Sequence, residues 1–239
     1  MTAGPDVYGS DAAGPDPRPL DVALIAERLA AVEQRIAAVG GTGVEILAVT
    51  KSHGAEVVKM AIAAGCGRLG ESYAQELVAK HRELSADGAP AQFAPRWCFI
   101  GQLQTNKVRV VAPIAELVCS VDRSRLVEEI ARRAPGLEVM IEIDLSGEVG
   151  RGGCDLSEAG SLVELAAARG LRPVGLMAVA PIGDVRTVSR ALRSVRRTVD
   201  ELGLAQCSMG MSADLEIAVQ EGSTMVRIGT ALFGPRHRG

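Results

Sequence analysis

Lysine is scarce in this chain. Of 26 basic residues only Lys51, Lys59, Lys80 and Lys107 carry an amine, and the rest are arginine, so chemistry that needs a deprotonatable amine has few places to sit. Long apolar runs are also missing: each is cut by Arg, Gly or Pro before it could span a bilayer. The first nineteen residues have neither the cationic start nor the apolar core of a signal peptide. A cytoplasmic protein with no membrane partner is expected. There is no basic excess, the formal net charge being -3, which argues against nucleic acid as a partner. The five cysteines, at 66, 98, 119, 154 and 207, form no CxxC pair and sit mostly in strand-like runs, so they read as reduced, buried thiols, and no metal site is expected. No G-x-G-x-x-G or Walker-type loop follows a strand, which weakens a nucleotide-binding open sheet.

What is present suits one compact domain. The chain has 239 residues, 47% hydrophobic and 23% charged, enough for a single α/β barrel. Residues 1–19, rich in Pro, Gly, Asp and Ala, read as a disordered N-terminal tail, leaving 20–239 as the folded domain. Val22, Ile25, Leu29, Val32, Ile36 and Val39 recur at steps of three and four, the stripe of one amphipathic helix before the first strand. Strands are then expected at 46–50, 68–70, 97–100, 117–121, 139–145, 174–179, 207–211 and 225–229, with helical stripes between them. Asp155 with Glu158 has the spacing of a capping box. Eight strands alternating with helices predict an α/β fold, a single (β/α)8 TIM-type barrel with an extra N-terminal helix. A doubly wound open sheet is the alternative.

In such a barrel every strand's C-terminal end faces one mouth. The stretch EILAVTKSHG puts Lys51 directly after a buried strand, where the bland reading is a lysine pointing to water. SMGMSADLEIA places Ser212 at a helix N-cap, and VRIGTALFG offers Gly229 and Thr230 just after the last strand. Loops after strands seven and eight commonly seat phosphate in barrel enzymes. Each has a duller reading, Ser212 as a simple cap, Gly229–Thr230 as a tight turn and Arg227 as a structural ion-pair partner. Together they describe a carbonyl-binding amine across one mouth from a phosphate seat, which suits pyridoxal 5′-phosphate (PLP).

The segments AVTKSHG, LGESYAQE, WCFIGQLQTNK, EIDLSGEVGRGG, GLMAVAP, SMGMSADLEIAVQEGSTMVRIG and ALFGPR occur in the order seen in the pyridoxal phosphate homeostasis proteins. The resemblance runs from about Leu20 to Arg236 and implies an alanine-racemase-like barrel. It implies PLP held as a Schiff base on Lys51, with Ser212, Gly229 and Thr230 around the phosphate, and Arg227 at the ring and phosphate end. Ser208, Met209 and Met211 match the strand-seven motif that lines the ring. Either Ser208 or Arg227 faces the pyridine nitrogen. Ser72 stands where the family usually has Asn near the cofactor, Cys98 where it has His, and Arg151 where it has Lys.

The implied role is intracellular PLP homeostasis: holding PLP and passing it to apo-enzymes, as a monomer, with no assigned catalytic residue. The competing reading is a single-domain PLP-dependent amino-acid racemase or decarboxylase. Related enzymes resemble a barrel plus a β-domain, and only Gly234 to Gly239 follow the last strand's loop here. A two-base racemase wants a tyrosine, and the two present are Tyr8 and Tyr73. His53 is the loop residue whose pKa would suit proton transfer.

Overall fold

The apolar runs and the glycine-stopped helical stripes between them set the architecture in a computed structural model of the protein, which describes residues 16, 18–86, 94–146, 150 and 152–235. Helix α1 (Val22–Ala38) is capped by Asp21, whose carboxylate accepts from the Leu24 amide at 2.8 Å, and turns Leu24, Ile25, Val32 and Ile36 inward. The chain then alternates: β1 (Glu45–Val49), α2 (Ala55–Ala63), β2 (Arg68–Glu71), α3 (Ala74–Ala86), β3 (Trp97–Phe99), and a 3-10 turn at Thr105–Lys107 that runs into α4 (Val108–Val111). After these come β4 (Leu117–Val121), α5 (Ser124–Arg133), β5 (Glu138–Ile143), α6 (Ala159–Ala168), β6 (Arg172–Ala178), α7 (Val185–Glu201), β7 (Gln206–Ser208), α8 (Leu215–Gln220), β8 (Met225–Ile228) and α9 (Thr230–Phe233).

The eight strands pair in parallel and in sequence order, and β8 closes onto β1. This is the expected barrel with its extra N-terminal helix, and closure leaves no strand edge exposed to pairing. Alternation divides the strand residues into two cores. Leu47, Cys98, Leu117, Cys119, Met140, Met177 and Met225 form a separate cluster, filling the barrel interior. Their neighbours in the strands, such as Ala48, Leu69, Phe99, Val118 and Ile141, belong with the helices in the main cluster. The interior is plugged below the mouth, so a ligand can enter only at the C-terminal end. All five cysteines are buried and free, and burial raises the thiol of Cys98 to about 12. The Asp155–Glu158 capping box forms as read, ahead of α6.

Three local differences from the sequence reading matter for the site. Strand β7 ends at Ser208 rather than Met211; the Met209 amide and the Gly210 carbonyl still bond β8, at Met225 and Arg227 (3.1 and 2.9 Å), and Gly210, at φ +93°, then turns the chain away. Helix α8 starts at Leu215, not Ala213, because the Asp214 carboxylate accepts from the Met211 amide at 2.7 Å and holds residues 212–214 in a turn. Within the stretch read as tail, Arg18 pairs with Glu27 at 2.8 Å and Asp16 with Arg28 at 3.3 Å, so these two side chains meet α1. Tail residues 1–15 and 17 lie outside the described residues, as does Arg151.

Candidate functional site

At the C-terminal mouth a cavity of about 320 Å³ opens between the ends of β1, β5, β6 and β8. Its walls include Lys51, His53, Ser72, Glu142, Met177, Met211, Ser212, Arg227, Gly229 and Thr230. The volume lies at the lower end of ligand sites, which span roughly 300–1,000 Å³. Seven of the nine candidate cofactor contacts therefore meet in one place; Ser208 and Met209 do not.

Lys51 stands at the mouth because β1 ends one turn beneath it. Thr50 still donates its amide to the Gly70 carbonyl at 3.0 Å, continuing the ladder, and the chain reverses at Ser52 with φ +65°. A non-glycine residue in this region costs on the order of 1 kcal/mol and persists only where the surroundings hold it. Here the Ser52 amide donates to Glu76 Oε2 at 2.8 Å, and the next amide, of His53, donates to the Thr50 carbonyl at 3.1 Å. The His53 ring tilts against Phe233, centroids 5.5 Å apart, joining the first loop to α9.

Closure of the barrel puts the proposed phosphate loops beside Lys51 rather than across from it. Gly229 follows β8, the strand bonded to β1, and a methyl at that position would lie 3.3 Å from the Val49 carbonyl oxygen. Gly229 occupies the N-cap position of α9, so the tight turn of the duller reading is instead the start of a short helix. Ser212 is not an N-cap; it lies in the turn before α8, half-buried, with Asp214 at the cap position. Its place in the cavity wall comes from the turn, not from capping. The hydroxyls of Ser212 and Thr230, and the first amides of α9, which have no partner inside the helix, are the donors on this side.

Arg227 lines the buried end of the cavity, 5% exposed. Its Nη1 donates to the Ser208 carbonyl at 2.7 Å and the Ser208 hydroxyl at 2.9 Å, and its Nη2 to the Ala178 carbonyl at 2.7 Å. These bonds orient the guanidinium from β6, β7 and β8 together. Burial draws its pKa below the usual guanidinium value, yet the group stays a cation. Ser208, fully buried, acts as an acceptor for Arg227 and does not reach the cavity. Met209 is also fully buried and belongs, like Cys207, to the outer core, so it does not line the ring position; alternation about the inward-facing Ser208 puts it on that side. Ser72 reaches the wall from the turn after β2. Gly101 lies against that turn, where a methyl group would come within 2.0 Å of the Ser72 carbonyl oxygen.

Two features escaped the sequence reading. Glu142 faces the cavity, although the alternation of β5, with Met140 in the barrel interior, already put it on that inner face. Beneath Lys51 lies a buried cluster of Thr50, Glu71 and Lys80 with Glu76 at its edge. The signal for it was Lys80 itself, a lysine in the stripe Ala74, Leu77, Lys80, Leu84 of α3. Tyr73 is 51% exposed and outside the cavity wall, which leaves no tyrosine there among the described residues. They contain no cluster of three or more His, Cys, Asp or Glu suited to a metal ion. No helix among them is long and apolar enough to cross a membrane.

Residues 20–237 match the family of the alanine racemase N-terminal domain. An alanine racemase from Corynebacterium glutamicum shares the fold, with TM-score 0.66 and 18% identity over 91% of this chain and 62% of that one. The pyridoxal phosphate homeostasis protein of Pseudomonas aeruginosa is 38% identical over 232 residues, 91% of this chain and 98% of that protein. That of Escherichia coli is 39% identical over 233 residues, covering 89% and 97%. PipY of Synechococcus elongatus, solved with PLP bound, superposes with TM-score 0.76 at 32% identity, covering 88% of this chain and all of that one. The chain belongs to the pyridoxal phosphate homeostasis protein family.

Proposed function

We propose that this protein binds PLP at the barrel mouth, holds it as a Schiff base on Lys51, and serves intracellular PLP homeostasis by passing the cofactor to apo-enzymes. The observation that carries the reading is the cavity wall itself: Lys51, Arg227, Ser212, Gly229 and Thr230 line one space of a size for a small ligand. These residues fit the group. The Ser212 and Thr230 hydroxyls and the α9 amides match a phosphate, and Lys51 is the adjacent amine. Its condensation with the aldehyde forms a C=N bond and releases water, with no oxidant or reductant needed. When bound, PLP supplies an electron sink for carbanions at an attached amino acid.

Arg227 is the better candidate to face the ring nitrogen, since it lines the cavity and Ser208 does not. A guanidinium has five N–H donors and no acceptor, so it does not hold that nitrogen protonated, and the electron sink is weaker than beside a carboxylate. That favours a carrier over a catalyst. The chain also spans nearly the full length of relatives named for homeostasis.

The test is the visible absorption spectrum of the purified protein titrated with PLP, beside Lys51→Ala, before and after a panel of amino acids is added. A band present in wild type and lost in Lys51→Ala, with amino-acid composition and chirality unchanged after long incubation, is expected. Transfer to an apo-enzyme is then followed as recovery of that enzyme's activity. Steady turnover of an amino acid would replace the carrier by an enzyme; no band in wild type would remove Lys51 from the site.

A further inference from the structure

Three side chains outside the cavity hold the peptide on both sides of Lys51. Lys80 is carried by α3 into the protein interior, its side chain 6% exposed, and its ammonium has three donors and three acceptors in reach. It donates to the Thr50 carbonyl at 2.8 Å, to Glu71 Oε1 at 2.6 Å and to Glu76 Oε2 at 3.3 Å. The Thr50 hydroxyl donates to the same Glu71 oxygen at 2.7 Å. The Glu76 oxygen that meets Lys80 also accepts the Ser52 amide at 2.8 Å. Residues 50 and 52 are thus tied to a single ion cluster, and residue 51 lies between the two ties.

An aliphatic residue at position 80 would continue the apolar stripe of α3 without the cost of burying charge, and a buried ion pair is weak evidence for stability. Such a residue could not hold the Thr50 carbonyl, nor orient the carboxylate that keeps Ser52 in its left-handed conformation. None of Glu71, Glu76 and Lys80 lines the cavity, so contact with a ligand does not account for them.

We propose that Lys80, Glu71 and Glu76 are positioning residues that fix the backbone on either side of Lys51 and so aim its amine into the cavity. This rests on Lys51 being the amine that holds PLP, and the experiment separates the two claims. Wild type, Lys51→Ala, Glu76→Ala, Glu76→Gln and the charge-balanced pair Lys80→Met with Glu71→Gln are titrated with PLP. The formation rate, the affinity and the circular dichroism of the visible band are recorded. Thermal unfolding of each variant is followed in parallel.

Glu76 is partly exposed, so Glu76→Ala folds; it loses the acceptor for Ser52 and the longer, 3.3 Å contact with the Lys80 ammonium, which keeps the Thr50 carbonyl and Glu71. It is expected to form the band about tenfold more slowly, with weakened dichroism, the scale of a lost hydrogen bond to a charged group. Glu76→Gln keeps an acceptor oxygen and is expected to stay within about threefold of wild type. The charge-balanced pair is expected to lose more than Glu76→Ala while unfolding near the wild-type temperature. Wild-type kinetics and dichroism in Glu76→Ala and in the pair would overturn the positioning role while leaving Lys51 as the cofactor amine. Equal losses in Glu76→Ala and Glu76→Gln would overturn it as well. A band absent from wild type, or retained in Lys51→Ala, would overturn the function reading and this inference together.

Discussion

The two flanks of β1 are built from different materials. On the β2 side the turn carrying Lys51 is held by buried charge: Lys80, Glu71 and Glu76 reach the backbone through long side chains. On the β8 side the loops that meet the same cavity are shaped by the backbone, with Gly210 at φ +93° and the Arg227 amide donating to the Gly210 carbonyl at 2.9 Å. On the proposed function, the difference follows from what each flank presents. A reactive amine on a flexible stem needs its own backbone fixed from outside, whereas an anion is met by hydroxyls and amides that the chain path itself aims.

The comparison breaks most sharply at Lys80. Lys80→Met alone leaves the Glu71 carboxylate, fully buried, without its ammonium partner. Removing one member of a buried pair costs about 3–5 kcal/mol, which for a chain of this size lowers Tm by roughly 10 °C. Adding Glu71→Gln is expected to restore most of that loss. Calorimetry on the single and double variants checks it; equal destabilisation of both would mean that lost packing, not the stranded charge, sets the cost.

The backbone flank is expected to yield less, and for a different reason. In Gly210→Ala the residue is forced to keep a positive φ, and its new methyl would sit 2.6 Å from the Ala218 Cβ. Strain and overpacking together cost about 2 kcal/mol, or roughly 4–8 °C in Tm. The shift is transmitted to Ser212 and Arg227, so PLP affinity falls while the reactivity of Lys51 toward pyridoxal, which has no phosphate, stays near wild type. A variant that loses both equally would show that the two flanks do not act separately.

The flanks were also unequally legible in the sequence. Lys51 was readable because a β-branched run ends on an amine in a chain with four lysines, and the barrel because eight such runs alternate with helical stripes. Gly229 and Thr230 were placed beside the cavity by the same strand-end logic. Ser212 was assigned a cap that Asp214 prevents, and Met209 and Ser208 a cavity wall that neither joins, Met209 facing the outer core and Ser208 held by Arg227. The place of Ser208 depends on Arg227 reaching it from β8, a non-local fact, whereas the outward side of Met209 was already in the alternation of Cys207, Ser208 and Met209. The ion cluster depends on Thr50, Glu71 and Lys80 meeting across 30 residues of chain; periodicity could mark Lys80 as odd in its stripe but could not name its partners.

The smallest expected effect is the most informative about why charge is buried beneath Lys51. Burial raises the Glu71 carboxyl above its usual value, a push the Lys80 ammonium and the Thr50 hydroxyl only partly counter. A raised carboxyl binds its proton more tightly in the folded state, so its favourable contribution is complete below the unfolded value of 4.5 and is lost as pH rises through the folded value. Glu71→Gln removes that titration. The Lys80 ammonium keeps the Thr50 carbonyl and Glu76 as acceptors and is not stranded as Glu71 is in Lys80→Met, so the variant should match wild type in stability near about pH 4 and gain on it toward about pH 7, by less than the Lys80→Met loss. Urea denaturation at both pH values measures the difference. A gain confined to neutral pH, combined with slower PLP binding in the same variant, would mean that the carboxylate costs stability where the protein works and is kept for the geometry it imposes on Lys51. A loss of stability at neutral pH would instead make the Glu71–Lys80 pair a net stabiliser, and the contrast between the flanks would then be one of strength as well as material.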